Sequence, residues 1–557
     1  MPEGGAPLPS PPRAGGGRPL RARPAAGQAG AGPGAPPLPA GRGIAVAAGL
    51  CVAAVLLVLN LGTLAAVAFH ADAPGRLGEA DWAAVRFTLW QATASALISV
   101  ALAIPVARAL ARRRFPGRAL LITALGAPFL LPTLVAVLGI LAVFGRGGLV
   151  NQGLAALGLP AVTVYGPQGV ILAHVFFNLP LATRLILQGW LAIPAERFRL
   201  AAALGFTPAD TFRHLERPML REVVPGALAV VFLICLTSFA VALTLGGGPR
   251  ATTVELAIYQ AFRLDFDLGK AALLAMVQFA LCALAAALAW GVARPAGFGA
   301  GLDRPVARLD AGSPLLRAQD AVAIALAAVF LLTPLAMVVT GGLPHLASLP
   351  EPVWRATLRS LMVAAASTVL ALAMALALAL AITRLGPRPA GALEAIGLMA
   401  LAASPLVIGT GLFLLLFPLM RPADAALPVT ALVNAAMALP FALRALLPAL
   451  REVEASHGRL ADSLGMTGLA RLRLVTLPRL ARPLGFAAGL TAALSMGDLG
   501  VIVLFADPQG ATLPLQLYRL MGAYRMDEAA GAALLLLALS LLLFWACDRG
   551  GRLGARG

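Results

Sequence analysis

Charge is what this sequence has least of. Only 12% of its 557 residues are Asp, Glu, Lys or Arg, while 60% are hydrophobic and mean hydropathy is +0.87. A soluble fold of this length cannot bury so much apolar surface, so the composition excludes an ordinary soluble protein and predicts an all-α chain that crosses a bilayer many times. Cysteine is scarce as well. Cys51, Cys235, Cys282 and Cys547 stand alone in or beside apolar segments, with no CxxC and no Cys/His cluster. That leaves no signature of a disulfide framework or metal centre, and the four read as small apolar fillers. Lys270 is the single lysine, while Ala, Leu, Gly and Arg dominate, a coding bias of GC-rich bacterial genomes without mechanistic content. No GxxxxGK[ST], GxSxG or HExxH occurs, so the sequence offers no phosphate loop, nucleophile elbow or zinc helix of its own.

What is present is a net charge of +18, with the arginines in short segments between apolar runs. That placement sets membrane topology rather than a nucleic-acid face. Twelve runs of about the 20 residues a span needs can be read, six within 44–293 and six within 319–547. The third (119–144) and ninth (391–418) read as continuous spans. The fourth (163–190) and tenth (427–450) contain Pro180 and Pro440, which predicts kinks or breaks. Residues 1–43, rich in Pro, Gly, Ala and Arg, read as a disordered basic tail. The 44–69 run exceeds the roughly 7–15 residues of a signal-peptide core and reads as a retained anchor. The tail, 108–118, 184–222, 294–317, 384–388, 444–482 and the C-terminus are rich in arginine, whereas 145–162 and 419–426 are poor. The asymmetry predicts cytoplasmic termini.

The chain also repeats itself. RLAAALG at 199–205 returns as RLADSLG at 459–465, and the 260-residue offset extends to Leu179-Pro180 with Leu439-Pro440, Arg184 with Arg444, Thr207 with Thr467, and Pro218 with Pro478. Pro132 matches Pro405, which places a 13-residue insertion in the 145–175 region of the first copy. Two tandem copies of six spans each are parallel, related by an axis along the membrane normal. The expected division is a tail (1–43), a first six-span half (44–300), a linker (301–318) and a second six-span half (319–557).

In both copies a short helix precedes Gly205 or Gly465, a stop suited to positive φ. In the first copy Thr207 then suits an N-cap, Pro208 the first helical position and Asp210 the first turn. Leu200, Ala201 and Leu204, matched by Leu460, Ala461 and Leu464, form a small apolar face at helical spacing. Such a face either fills a groove on another protein or packs on the membrane domain; its recurrence favours the partner.

This pattern resembles the EAA loop of ABC-importer permeases, with Pro218 and Pro478 at the expected distance beyond each glycine. Arg199 and Arg459 stand where the family has Glu, and Leu200 and Leu460 where it has the first Ala. The stretches LPTLVAVLGILAVFGRGGLVNQGL (131–154), ILAHVFFNLPLATRLIL (171–187) and LGGGPRATTVELAIYQAF (245–262) are similar to fused permeases of the bacterial thiamine transporter. Ferric-iron permeases share the layout. The resemblance implies two type I ABC permease domains in one inner-membrane chain, each loop seated on one of two copies of a cytoplasmic ATPase. It implies that the partner consumes ATP while this chain binds no cofactor and no metal, that a periplasmic thiamine-binding protein delivers cargo, and that thiamine or its phosphates pass inward. Lipid surrounds the chain and nucleic acid has no part. The rival from another class, an ion-coupled secondary transporter, should carry a buried acid–base relay.

Polar residues within spans often mark a pathway. His174 and Asn178 lie one turn apart and either face a pore or bond between helices. Asp498 either attracts a cation or caps a wet helix end. Gln260, Gln278 and Asn434 give no assignable role. Glu255, Asp265 and Asp267 are expected in a solvated periplasmic loop, where they either meet a binding protein or only face water.

Overall fold

Inside hydrocarbon a backbone must satisfy its own hydrogen bonds, so each long apolar run winds into a helix. The computed structural model describes residues 40–70, 77–125, 131–292, 312–402, 404–507 and 509–555. The basic tail to residue 39 and most of the linker thus lie outside the described residues. Among the described residues, eleven helical stretches are long and apolar enough to cross a bilayer.

The first half contains α1 (Ala40–Leu57), α2 (Thr63–His70), α3 (Glu79–Arg112), α4 (Arg118–Ala124), α5 (Thr133–Phe144), α6 (Leu149–Ala156) and α7 (Pro167–Ala192). It continues through α8 (Ala195–Ala203), α9 (Pro208–Thr211), α10 (Arg217–Leu236), α11 (Ala240–Leu245), α12 (Val254–Arg263) and α13 (Leu268–Val292). The second half contains α14 (Pro314–Gly342), α15 (Glu351–Ile382), α16 (Pro387–Leu398), α17 (Pro405–Leu416) and α18 (Pro422–Ser463). It ends with α19 (Gly468–Arg471), α20 (Leu477–Gly497), α21 (Ile502–Phe505), α22 (Leu513–Gly522) and α23 (Met526–Gly554).

Two expectations change. The ninth run is not one span: α16 gives way to a 3-10 turn at Met399–Ala402 before α17 restarts at Pro405, capped by the Ser404 hydroxyl. At 12 residues, α17 is about 18 Å long, too short to cross alone. The third run divides likewise, between α4 and α5, with Pro132 capping the restart. Pro180 and Pro440, in contrast, break nothing. α7 runs unbroken through Pro180, and α18 through Pro428, Pro440 and Pro448. A proline removes one backbone bond, and dense packing around it keeps the helix going. The insertion in the first copy is α6 and the loop after it, held by Asn151, which donates to the Gly145 and Val162 carbonyls (2.8 and 2.9 Å).

The halves exchange their first helices. α1 packs on α15 and α2 on α17, while α14 packs on α5 and α3. Glycines let these backbones close in, as small residues do between membrane helices. Gly49 faces Ala381, Gly411 faces Thr63, and Gly139 faces Pro334. A buried ion cluster clamps the same seam: Asp320 of α14 takes Nη2 of Arg112, the last residue of α3, and Nε of Arg113 just past it, each at 2.7 Å. Burial separates the roles of the spans. About 70% of the apolar window of α18 is inside the protein, against 22% for the stretch containing α14. The exchanged helices form the rim and α7, α18 and α20 the centre.

Candidate functional site

Helix directions put both heptapeptide loops at one end of the bundle, where α1 and α14 begin. α1 packs on α16 and α19 there. In loop 1, Pro194 ends the run of α7, so α8 starts afresh at Ala195. In loop 2, Glu454 stands at that position and α18 continues for 42 residues to Ser463. Both helices then close identically. The Phe206 amide donates to the Ala201 carbonyl and the Gly205 amide to Ala202 (2.9 and 3.1 Å). Met466 and Gly465 repeat this with Ala461 and Asp462 at the same distances. This double-bonded stop needs a left-handed residue, and φ is +70° at Gly205 and +66° at Gly465.

Past the stop, Thr207 and Asp210 cap each other: the Asp210 amide donates to the Thr207 hydroxyl and the Thr207 amide to the Asp210 carboxylate (3.2 and 3.1 Å). Loop 2 has Thr467 without a side-chain cap and Gly468 after it at φ +55°. A π turn follows in both, Phe212–Glu216 and Leu472–Thr476, just ahead of Pro218 and Pro478. A proline cannot donate into a regular α turn, and the wider turn absorbs the missing bond. The faces split as their positions require. Ala201 and Ala461 are buried, whereas Leu200, Leu204, Leu460 and Leu464 are 58–64% exposed.

The loops are fastened differently. Loop 1 is tied to α3 by Arg108, whose Nε lies 2.7 Å from buried Glu216 and whose guanidinium sits 5.1 Å from the Phe212 ring centre. In loop 2 Thr476 replaces Glu216, and Arg471 instead bridges Glu454 and Asp462 at 2.5 Å each. A Cβ at Gly205 or Gly465 would meet nothing within 4 Å, so a substitution there costs backbone strain alone, roughly 1–2 kcal/mol. Gly205→Asn, which tolerates left-handed φ, is therefore expected to keep the loop, while Gly205→Val loses it. Limited proteolysis of the loop in purified protein reads the difference; equal protection of both variants would contradict the strain argument.

A cavity of about 380 Å³ lies at mid-bundle where the repeats face each other. Its walls come in repeat-related pairs: Pro132 and Pro405, Leu181 and Phe441, Ile234 and Leu494, Ser238 and Asp498. Two helices break beside it. α10 ends at Leu236 and resumes as α11 at Ala240, and α20 ends at Gly497 before Asp498. A helix ending inside a membrane leaves carbonyls without partners. Gln91 and Gln278 supply them, donating to the Cys235 and Leu236 carbonyls at 3.0 Å each, while Asn434 donates to the Ser495 hydroxyl at 3.0 Å. Gln278 and Asn434, without a role in the sequence, are thus braces of the broken helices. The signal was their position beside a break, which apolar periodicity does not reveal.

His174, Asn178 and Asp498 all line this cavity. The Asn178 amide is committed to the His174 carbonyl (2.8 Å) and Cys235 sulfur (3.2 Å), and His174 Nδ1 meets the Ser95 hydroxyl at 3.3 Å. Glu255 corrects the reading of 255–267 as one solvated loop. It is 1% exposed and lines the cavity, because the amphipathic α12 turns its first turn inward. Asp265 and Asp267 are exposed.

A polar cavity between two repeats, with matched loops at one end of a multi-pass bundle, is the architecture of a membrane permease. Its relatives make that specific. The thiamine transport system permease protein of Salmonella typhimurium is 41% identical over 520 residues, covering 89% of this chain and 95% of the relative. That of Escherichia coli is 41% identical over 522 residues with the same coverage, and that of Brucella abortus 40% over 516, covering 90% and 95%. The chain belongs to this family of thiamine transport system permeases. No protein-family model matches it.

Proposed function

We propose that the chain is the translocation subunit of an ATP-driven importer that carries thiamine across the inner membrane into the cytoplasm. Near-full-length similarity to permeases named for thiamine transport carries this reading. In this reading both termini and both loops face the cytoplasm, and residues 44–300 and 319–557 are the two permease halves around the 301–318 linker. Each loop seats one of two ATPase copies through its exposed leucine pair, with Ala201, Gly205 and Pro218, or Ala461, Gly465 and Pro478, shaping the element. Arg199 and Arg459 stand in place of the usual acid, so the leucine pairs rather than a carboxylate carry the docking contact in this reading. A binding protein delivers thiamine, or its phosphates, to the opposite face, and nucleotide-driven closure of the ATPases turns the cavity from one side to the other. ATP is the partner's substrate, and the resident chain needs no cofactor.

The test is uptake of labelled thiamine by membranes holding this chain, its ATPase and its binding protein. Leu200→Glu/Leu204→Glu is expected to abolish ATPase co-purification and uptake while leaving the membrane level of the chain unchanged. Uptake of ferric iron but not thiamine by the complete system would overturn the substrate and leave the architecture standing.

A further inference from the structure

The central cavity holds polar atoms that the fold itself leaves unused. Asp498 Oδ2 and His174 Nε2 have no hydrogen-bond partner, and Glu255 meets only uncharged polar side chains, Ser404 and Gln278. The Ser404 hydroxyl accepts from the Leu406 and Val407 amides, which leaves its own proton for Glu255, and the Gln278 amide serves the Leu236 carbonyl and Glu255. The Asp498 carboxylate accepts from backbone amides, that of Gly500 at 3.3 Å and that of Val501. His174 is 3% exposed and Glu255 1%, so water at the outer surface does not serve them. Such groups are costly to bury unless something occupies the space between them. The described cavity wall contains no Arg or Lys to neutralise the two carboxyls. It does contain Phe177, Phe239 and Phe441, and aromatic faces attract delocalised organic cations, which small hydrated ions are poorly suited to exploit.

We propose that this cavity is a recognition site within the permease for an organic cation, with Glu255 and Asp498 as its counter-charges, His174 Nε2 as a hydrogen-bond partner and the phenylalanine rings as its walls. The site is asymmetric within a symmetric frame. Ser238 occupies the position related to Asp498, and beyond Pro249, where the offset slips to 259 (Pro249 with Pro508, Tyr259 with Tyr518), Pro514 is the one related to Glu255, so one orientation of the cation is favoured. α12 adds to it, since Glu255 sits in the first turn and the helix N-terminus supports a carboxylate there. The inference rests on the thiamine reading above, because thiamine carries a cationic thiazolium ring.

The experiment uses the complete transporter in proteoliposomes, with labelled thiamine as the probe, and also measures thiamine binding to the permease–ATPase complex without the binding protein. Glu255→Gln and Asp498→Asn are each expected to weaken binding and to raise KM for uptake about tenfold or more. Glu255→Asp, which keeps the charge, should retain most of both, and Glu351→Gln on the exposed surface should change neither. A role of Glu255 in folding alone would not be rescued by charge or appear as a KM change. Should Glu255→Gln fail to assemble, Asp498→Asn and Glu255→Asp decide by the same criteria. Binding and uptake within twofold of wild type in the neutral variants would overturn the site. A wild-type complex that moves no thiamine overturns the functional reading instead, before any variant is compared.

Discussion

Asp320→Ala is expected to cost about 3–5 kcal/mol of stability, the range found when one partner of a buried ion pair is removed. Asp320 is 3% exposed, and both its oxygens are engaged at 2.7 Å, one by Arg112 and one by Arg113. Arg112 is itself buried. Its guanidinium would then face a low-dielectric wall without the carboxylate that justifies its position. The contact joins α3 of the first half to α14 of the second, so the loss falls on the exchange of helices rather than on one span. Thermal unfolding of the detergent-solubilised protein checks this. Glu351→Ala, which breaks an exposed pair with Arg355, sets the scale for a surface ion pair, at most about 1 kcal/mol. Equal melting of Asp320→Ala and wild type would mean that the clamp is ornamental. Replacing Arg112 and Asp320 together by Met and Leu should recover part of the loss, because an apolar pair carries no desolvation cost.

The spans and the repeat were legible because they rest on local chemistry. Apolar length fixes a helix in lipid, and a glycine at a helix end fixes a stop, whatever surrounds them. Partner choice is different. An Ala- and Leu-rich stripe fits any similar stripe, so nothing in the runs at 44–69 or 319–341 says that each packs on the other half. The local cost of proline predicts kinks or breaks at Pro180 and Pro440, and neither helix is interrupted there. The real interruptions came ahead of Pro132 and Pro405, where a proline begins a helix rather than sitting inside one. Within the cavity, His174, Asn178 and Asp498 were visible as polar residues in apolar surroundings. Glu255 was not, because sequence neighbours Asp265 and Asp267 lend its segment the look of a loop. Its inward aim follows from the face α12 presents, and only the packed neighbours of α12 determine that face.

Gly139→Leu is expected to prevent assembly of the exchanged bundle. A Cβ at this position would lie 2.6 Å from the Pro334 carbonyl oxygen and 3.0 Å from its carbon. Both atoms are backbone, so no side-chain rotation gives way. Pro334 cannot shift along α14 freely either, since Phe330 one turn earlier is held against Phe176 with ring centres 5.9 Å apart. Even alanine must push α14 from α5, and overpacking of this kind typically costs about 1–3 kcal/mol; leucine adds three further carbons. The reciprocal seam predicts the same behaviour, because a Cβ on Gly411 would lie 2.5 Å from Thr63. Glycines in open space provide the contrast: Gly341, one residue before the end of α14, has nothing within 4 Å. The expected order of monodisperse yield in detergent is therefore Gly341→Leu near wild type, Gly139→Ala reduced, and Gly139→Leu or Gly411→Leu absent. A well-folded Gly139→Leu protein would mean that α14 does not sit on α5, and the exchange of first helices between the halves would fall with it.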